Sequence, residues 1–409
     1  MTAIFAVWNN YGFSLAADSN QTASKDNQTW VDPVEKILML DKHQVAIGAA
    51  GSTFHQGVEV NEIFRSWEKG IANVEFDSLE EYFLDFAKWF AHQKFLTKDF
   101  DVANFEHLAK IWLTDISELI GKLNEDFTAE DLEEKLINYE KTSFDVVNFL
   151  GPDWETLSTF DEDEDGNISF VDSKIIDLRN KLIGGDPSIS DSNFLFEKDD
   201  QLKSELFSKF TEVFVEIFSR DFDADSEIDL KILELTICMI SNLSITTQDL
   251  EIIMIGFGKN DWLPSAISFK IYPSFAGLPR LYLTAWSNPN INWYMSIAVD
   301  VAVNELTRGM SPERSREIIE LVESYLEKPQ IESFATQLNE KSNEKFHKTL
   351  SRLEYLTIDR LEFVSRLFVQ IEALKSFLDE PVPGVGGDTK VISMTKTTRR
   401  EKYFKEFES

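Results

Sequence analysis

Thr2-Ala3-Ile4-Phe5-Ala6-Val7-Trp8, the polar break Asn9-Asn10, and Gly12-Phe13-Ser14-Leu15-Ala16-Ala17-Asp18-Ser19 follow Met1 and decide how the chain is read. Two short apolar runs around a polar turn predict a β-hairpin, with Asp18 at the end of its second strand. A second hairpin is expected from Val34 to Leu40, through the turn Asp41-Lys42-His43, into Gln44 to Ala50 and Gly51. Thr2 is small enough to let the initiator methionine be removed. Removal would leave a free threonine amine at the head of the first strand.

Taken in order, Thr-x-(apolar), Leu15-Ala16-Ala17-Asp18-Ser19, Val34-Glu35-Lys36-Ile37 and Ile47-Gly48-Ala49-Ala50-Gly51-Ser52 resemble the proteasome β-subunit group of N-terminal-nucleophile hydrolases. That group includes the bacterial ring peptidases of the same fold. The resemblance implies an α+β chain built as a four-layer αββα sandwich, here with an additional helical insertion. It also implies a threonine-type endopeptidase that acts on peptide or protein substrates without a catalytic cofactor. Thr2, Asp18, Lys36 and Gly51 fall on the group's nucleophile, acid, lysine and oxyanion glycine. Members assemble into rings; the size of the insertion leaves the oligomeric state of this chain open, a homo-oligomer included.

The residue types suit that chemistry. A threonine hydroxyl is a poor nucleophile until a base takes its proton, and the chain's own α-amine can serve. A free α-amine has a pKa of about 8. A neighbouring Lys36 ammonium pushes it lower, because like charge disfavours protonation. Asp18 would hold Lys36 charged and oriented. The Gly51 N–H would stabilise the oxyanion, a contribution of about 3 kcal/mol per donor.

Composition sets outer bounds. Among 409 residues, 43% are hydrophobic, with 33 Phe and nine Trp, enough for a large core. A net charge of −32 argues against nucleic-acid and anionic-membrane partners, which need a basic face. Cys238 is the only cysteine, so no intramolecular disulfide or thiolate cluster exists, and its apolar setting predicts a buried thiol. No secretory signal or membrane-length apolar run is legible, so the chain is expected to be cytoplasmic.

Five segments are expected: 1–70 and 246–330 as the two parts of the hydrolase-like domain, 71–245 and 331–380 as mostly helical insertions, and 381–409 as final strands and tail. Thr53 to Gly70 reads as an amphipathic helix. Ser78-Leu79-Glu80-Glu81 is a capping box that opens another. Further helices are expected at 105–123, 128–139, 202–218, 228–243, 296–309, from Pro312 to Leu326, and as a pair across 331–378. Strands are expected at 251–258, 266–272, 281–286 and 390–395.

The chain departs from the resemblance at three places. Before Gly386-Gly387, where active members carry Asp-x-x-Ser, it has Val382 and Val385, with Asp379 three residues early. Ser287 or Asn292 would stand in for a missing turn serine, and Asn20 replaces a basic residue. A non-catalytic relative acting as a scaffold or calcium-dependent interaction module is therefore the alternative reading. Separately, Asp161, Asp163, Asp165, Asn167, Ser169 and Asp172, with Gly166 between them, match the oxygen-ligand spacing of an EF-hand loop. Calcium or magnesium would bind there, and an acidic hairpin turn is the plain alternative.

Overall fold

The computed structural model describes residues 2–25, 28–55, 57–91, 93, 98–121, 128, 200–241, 250–275, 278–290, 293–310, 312–323, 328–379 and 383–405. The strands are β1 (Ala3–Asn9), β2 (Gly12–Ala17), β3 (Asn20–Lys25), β4 (Gln28–Pro33), β5 (Ile37–Met39), β6 (Val45–Gly51), β7 (Phe54–His55), β8 (Val58–Glu59), β9 (Leu250–Gly256), β10 (Ser265–Phe275), β11 (Leu278–Ser287), β12 (Tyr294–Ala298), β13 (Thr389–Thr395) and β14 (Arg399–Phe404). The helices are α1 (Val60–Ile71), α2 (Leu79–Ala91), α3 (Lys98–Ile120), α4 (Asp200–Phe218), α5 (Glu227–Ser241), α6 (Val301–Arg308), α7 (Pro312–Glu323), α8 (Lys328–Leu350) and α9 (Ile358–Asp379). The protein is α+β. Its two larger sheets run β12-β1-β2-β13-β14 and β11-β10-β9-β6-β5.

The first sheet explains why β1 and β2 are apolar nearly throughout. An antiparallel sheet with one wet face alternates apolar and polar residues; here these central strands are buried along their whole length. Along β1, Ile4, Ala6 and Trp8 join a core shared with Ala46, Ile253 and Ile255 of the second sheet. Ala3, Phe5 and Val7 point the other way, into a core with Phe346, Leu361 and Phe368 of α8 and α9. All seven residues of β1 are buried. The register follows: Ile4 faces Ala17 and Trp8 faces Phe13, so each side chain keeps its own core.

Several polar groups inside the helix-covered core are paired. Asn9 Nδ2 donates to the carbonyls of Leu353 (2.9 Å) and Leu356 (2.7 Å), fixing the turn between α8 and α9. Ser14 meets Ser365 at 2.8 Å, and Ser393 donates to Glu362 at 2.5 Å. Such satisfied pairs avoid the penalty of stranded buried groups. On the second sheet, Phe269 of β10 touches Phe83 (4.9 Å between ring centroids) and Phe86 (5.9 Å) of α2, and Phe64 of α1 stacks on Phe86 at 5.0 Å.

The chain divides into two compact units, one of 1–86, 250–270 and 283–409, the other of 87–249 and 271–282. In the second, α3, α4 and α5 share their own core of Phe105, Trp112, Leu113, Phe210, Phe214 and Ile232. The helical stripe expected at 202–218 is therefore core packing.

Two expected helices start later than their apolar pattern suggests. Phe54-His55 pairs with Val58-Glu59 as a small hairpin, so α1 begins at Val60 rather than Thr53. Ser296 to Ala298 extends β12 along β1, where Ala3 faces Ala298, so α6 begins only at Val301. In both cases strand pairing with a distant or turning partner overrides helical periodicity. The capping box is also altered: the Glu81 carboxylate accepts from the Asp77 N–H, one residue before the expected donor. The Cys238 side chain, residues 129–139 and the whole acidic loop 161–172 lie outside the described residues.

Phe5 is fully buried between Tyr294 (6.0 Å) and Phe368 (5.7 Å). Phe5→Ala should destabilise the fold by about 3–5 kcal/mol, measured by urea denaturation. A loss under about 1 kcal/mol would mean that this core collapses around the gap or contributes little.

Candidate active site

Four sequence positions converge on the first unit, each set by a strand end. Thr2 lies immediately before β1 and is half-buried; its carbonyl accepts the Val299 N–H at 2.9 Å. Asp18 follows β2, Lys36 precedes β5, and Gly51 ends β6. Gly51 has a φ of +102°, a region that glycine enters freely and other residues do not, so the chain can turn out of the sheet there. Thr2, Lys36 and Gly51 line one open cleft, with Ser52, Thr53 and Glu59 on its wall.

Asp18 is the fixed point. Its Oδ1 accepts the Ala3 N–H at 2.9 Å and the Lys36 ammonium at 2.8 Å, and its Oδ2 accepts the Gly386 N–H at 3.2 Å. Its side chain is fully buried and that of Lys36 is 5% exposed. A buried ion pair endures only when its remaining hydrogen-bonding capacity is met, and here the Ala3 and Gly386 N–H groups meet that of Asp18. Lys36 also donates to the Asn20 carbonyl. Burial holds Lys36 below its ordinary value, and Asp18 opposes that shift without cancelling it.

The Gly386-Gly387 turn reaches Asp18 through its backbone. Val385 is buried in the helix-covered core, and Asp379 ends α9 exposed, bonded to Lys375 at 3.0 Å. Gly386 donates to Asp18, and its carbonyl accepts the N–H groups of Ser19 (3.2 Å) and Asn20 (3.1 Å). Gly387 has a φ of +75°, and a Cβ there would lie 2.4 Å from Asn20 Oδ1. The sequence reading missed these contacts; the paired glycines after an apolar stretch were the available signal. Ser287 is buried in β11, and Asn292 lies outside the described residues.

No family model matches this chain, and no curated protein matches it. Solved structures similar to it include the Anbu Gly-1 mutant from Hyphomicrobium sp. strain MC1, at 10% identity, covering 100% of this chain and 89% of that one, with a TM-score of 0.30. Anbu from the same Hyphomicrobium strain gives 10% identity, coverage of 99% and 88%, and a TM-score of 0.29. Anbu (ancestral beta-subunit) from Yersinia bercovieri gives 9%, 100% and 88%, and 0.29. The expected membership of the proteasome β-subunit group does not hold. No family model supports it, and the similar structures are Anbu proteins, at scores too low to carry weight for fold or activity.

Among the described residues, no helix is long and apolar enough to cross a membrane, and no group of three His, Cys, Asp or Glu is placed to hold a metal ion.

His55, in the hairpin beside the cleft, is pushed down to about 4 by burial. The unfolded chain takes up this proton near pH 6.5 and the folded protein only near 4, so stability falls as pH drops through that window. The loss attributable to His55 should reach about 3 kcal/mol. Urea midpoints at pH 7 and 4.5 should differ much less for His55→Phe than for wild type; equal differences would remove His55 from the account.

Proposed function

We propose that this chain is an amide hydrolase of the threonine type, acting on peptide bonds, with Thr2 as nucleophile once Met1 is removed. The observation that carries the reading is the buried Lys36–Asp18 pair opening onto the cleft that holds Thr2 and Gly51. Helix, sheet, sheet and helix succeed one another around the two cores, and this reading takes that order as a four-layer αββα sandwich.

In the proposed reaction the free α-amine of Thr2 accepts the hydroxyl proton while Oγ1 attacks the substrate carbonyl carbon. Lys36, held by Asp18, keeps the amine's proton affinity low by like charge, so the amine is neutral and ready to act. The tetrahedral oxyanion faces the Gly51 N–H. Collapse breaks the C–N bond, the leaving amine takes the proton from the Thr2 ammonium, and an ester on Oγ1 remains. Water, deprotonated by the same amine, hydrolyses that ester and regenerates the hydroxyl.

A non-catalytic scaffold is the second reading, favoured by one observation: among the described residues, the turn before Gly386 offers Val385 to the core and no hydroxyl or carboxylate to the cleft. Peptide hydrolysis decides between them. Thr2→Ala should abolish turnover, Lys36→Ala should lose nearly as much, and the double variant little more, since groups acting as one unit are non-additive. Near-normal turnover in Lys36→Ala would break the proposed role. Absence of any turnover in wild type with Thr2 at its amino terminus would favour the scaffold.

A further inference from the structure

The segment 34–36 carries Lys36 without belonging to a strand, and it separates two cavities. One is the cleft with Thr2 and Gly51; the other is lined by Asp18, Glu35, Lys36, Asp388, Lys390 and Tyr403. Backbone bonds hold the segment along its length: the Val34 N–H to Ser19 O at 2.7 Å, and the Ala49 N–H to Lys36 O at 2.9 Å. Its two charged side chains reach back to the first sheet side by side. Lys36 meets Asp18, and Glu35 meets Lys390.

Lys390 lies in β13 directly opposite Ala17, the residue before Asp18. Its side chain is 9% exposed, and its ammonium is shared between Glu35 and Glu401, the latter at 2.6 Å, with the Tyr403 ring 5.4 Å away. The sheet thus presents a negative and a positive charge, and the segment answers with a positive and a negative one. A slip of the segment by one residue would bring like charges together or leave a buried charge unpaired, each costly. Burial alone would lower the affinity of Lys390 for its proton, but Glu35 and Glu401 outweigh it, so the clamp stays charged.

We propose that Lys390 is a positioning residue for Lys36: by clamping Glu35 it fixes the register of segment 34–36, and so keeps the Lys36 ammonium on Asp18 beside Thr2. The inference rests on the hydrolase reading for its functional meaning, while the clamp itself can be tested without turnover.

The test compares wild type with Lys390→Met, Lys390→Arg and Glu35→Gln as full-length proteins, Glu35→Gln being the milder probe if Lys390→Met does not fold. Acetylation of Lys36 by acetic anhydride, followed by mass spectrometry, reads its accessibility. Lys36 should be protected in wild type, and its labelling should rise about tenfold or more in Lys390→Met and Glu35→Gln through local opening. Lys390→Arg should restore protection, because it keeps the charge. Amide exchange across residues 4–17 should stay at wild-type level, which general loosening would not allow. Where peptides are cleaved, kcat should fall about tenfold with KM little changed, as expected when a positioned group is displaced. Lys36 equally protected in all variants, exchange rising across 4–17 in step with labelling, or Lys390→Arg behaving as Lys390→Met would each overturn the clamp. Wild type that cleaves nothing yet shows this labelling pattern would sink the hydrolase reading and leave the clamp standing.

Discussion

The buried Asp18 carboxylate is the constraint on which the candidate site depends. Three donors from distant parts of the chain end on it: the Ala3 N–H at the start of β1, the Lys36 ammonium before β5, and the Gly386 N–H before β13. A carboxylate stripped of water is expensive unless its lone pairs are filled, so these segments are held to one point by a single requirement. The placement of Lys36 beside Thr2 follows from it. Removing any one partner would leave the others around an unsatisfied charge, which is why their effects should not add.

The two cores give that point its rigidity. Because β1, β2 and β13 are buried on both faces, a shift of one residue would exchange two complete sets of side chains between unlike cores. Ile4, Ala6 and Trp8 would move into the helix-covered core, and Phe5 would lose its contacts with Tyr294 and Phe368. Strand ends that carry reactive groups therefore inherit the precision of the sheet. The Glu35–Lys390 pair extends the same control to a stretch that has no ladder of its own.

Much of this was legible in the chain itself, for local reasons. The hairpin of β1 and β2, the position of Asp18 at its end and the run into Gly51 are short-range patterns of apolar residues and turns. The resemblance implied Thr2, Asp18 and Lys36 as one chemical set; the structure pairs Lys36 with Asp18 and lines one cleft with Thr2 and Lys36. What escaped the sequence reading depends mostly on partners far along the chain, the local hairpin before α1 being the exception. The extension of β12 through Ser296–Ala298 exists because β1 lies beside it, and the late start of α1 reflects pairing of Phe54 with Glu59. Gly386 and Lys390 act across separations of more than 350 residues, which no local window can register. Family membership, read from the same opening motifs, was the inference that failed: short motifs with the right chemistry are compatible with more than one lineage.

The central claim is that a free Thr2 amine sits beside the Lys36–Asp18 pair and makes the Thr2 hydroxyl reactive. The most direct measurement is the intact mass of the purified protein before and after treatment with a peptide epoxyketone, whose two electrophilic carbons capture an adjacent hydroxyl and amine together. The account predicts a mass lacking Met1, one added equivalent of reagent, and its location on the peptide beginning at Thr2. A folded protein that retains Met1, or that loses it yet takes up no reagent at Thr2, would contradict it.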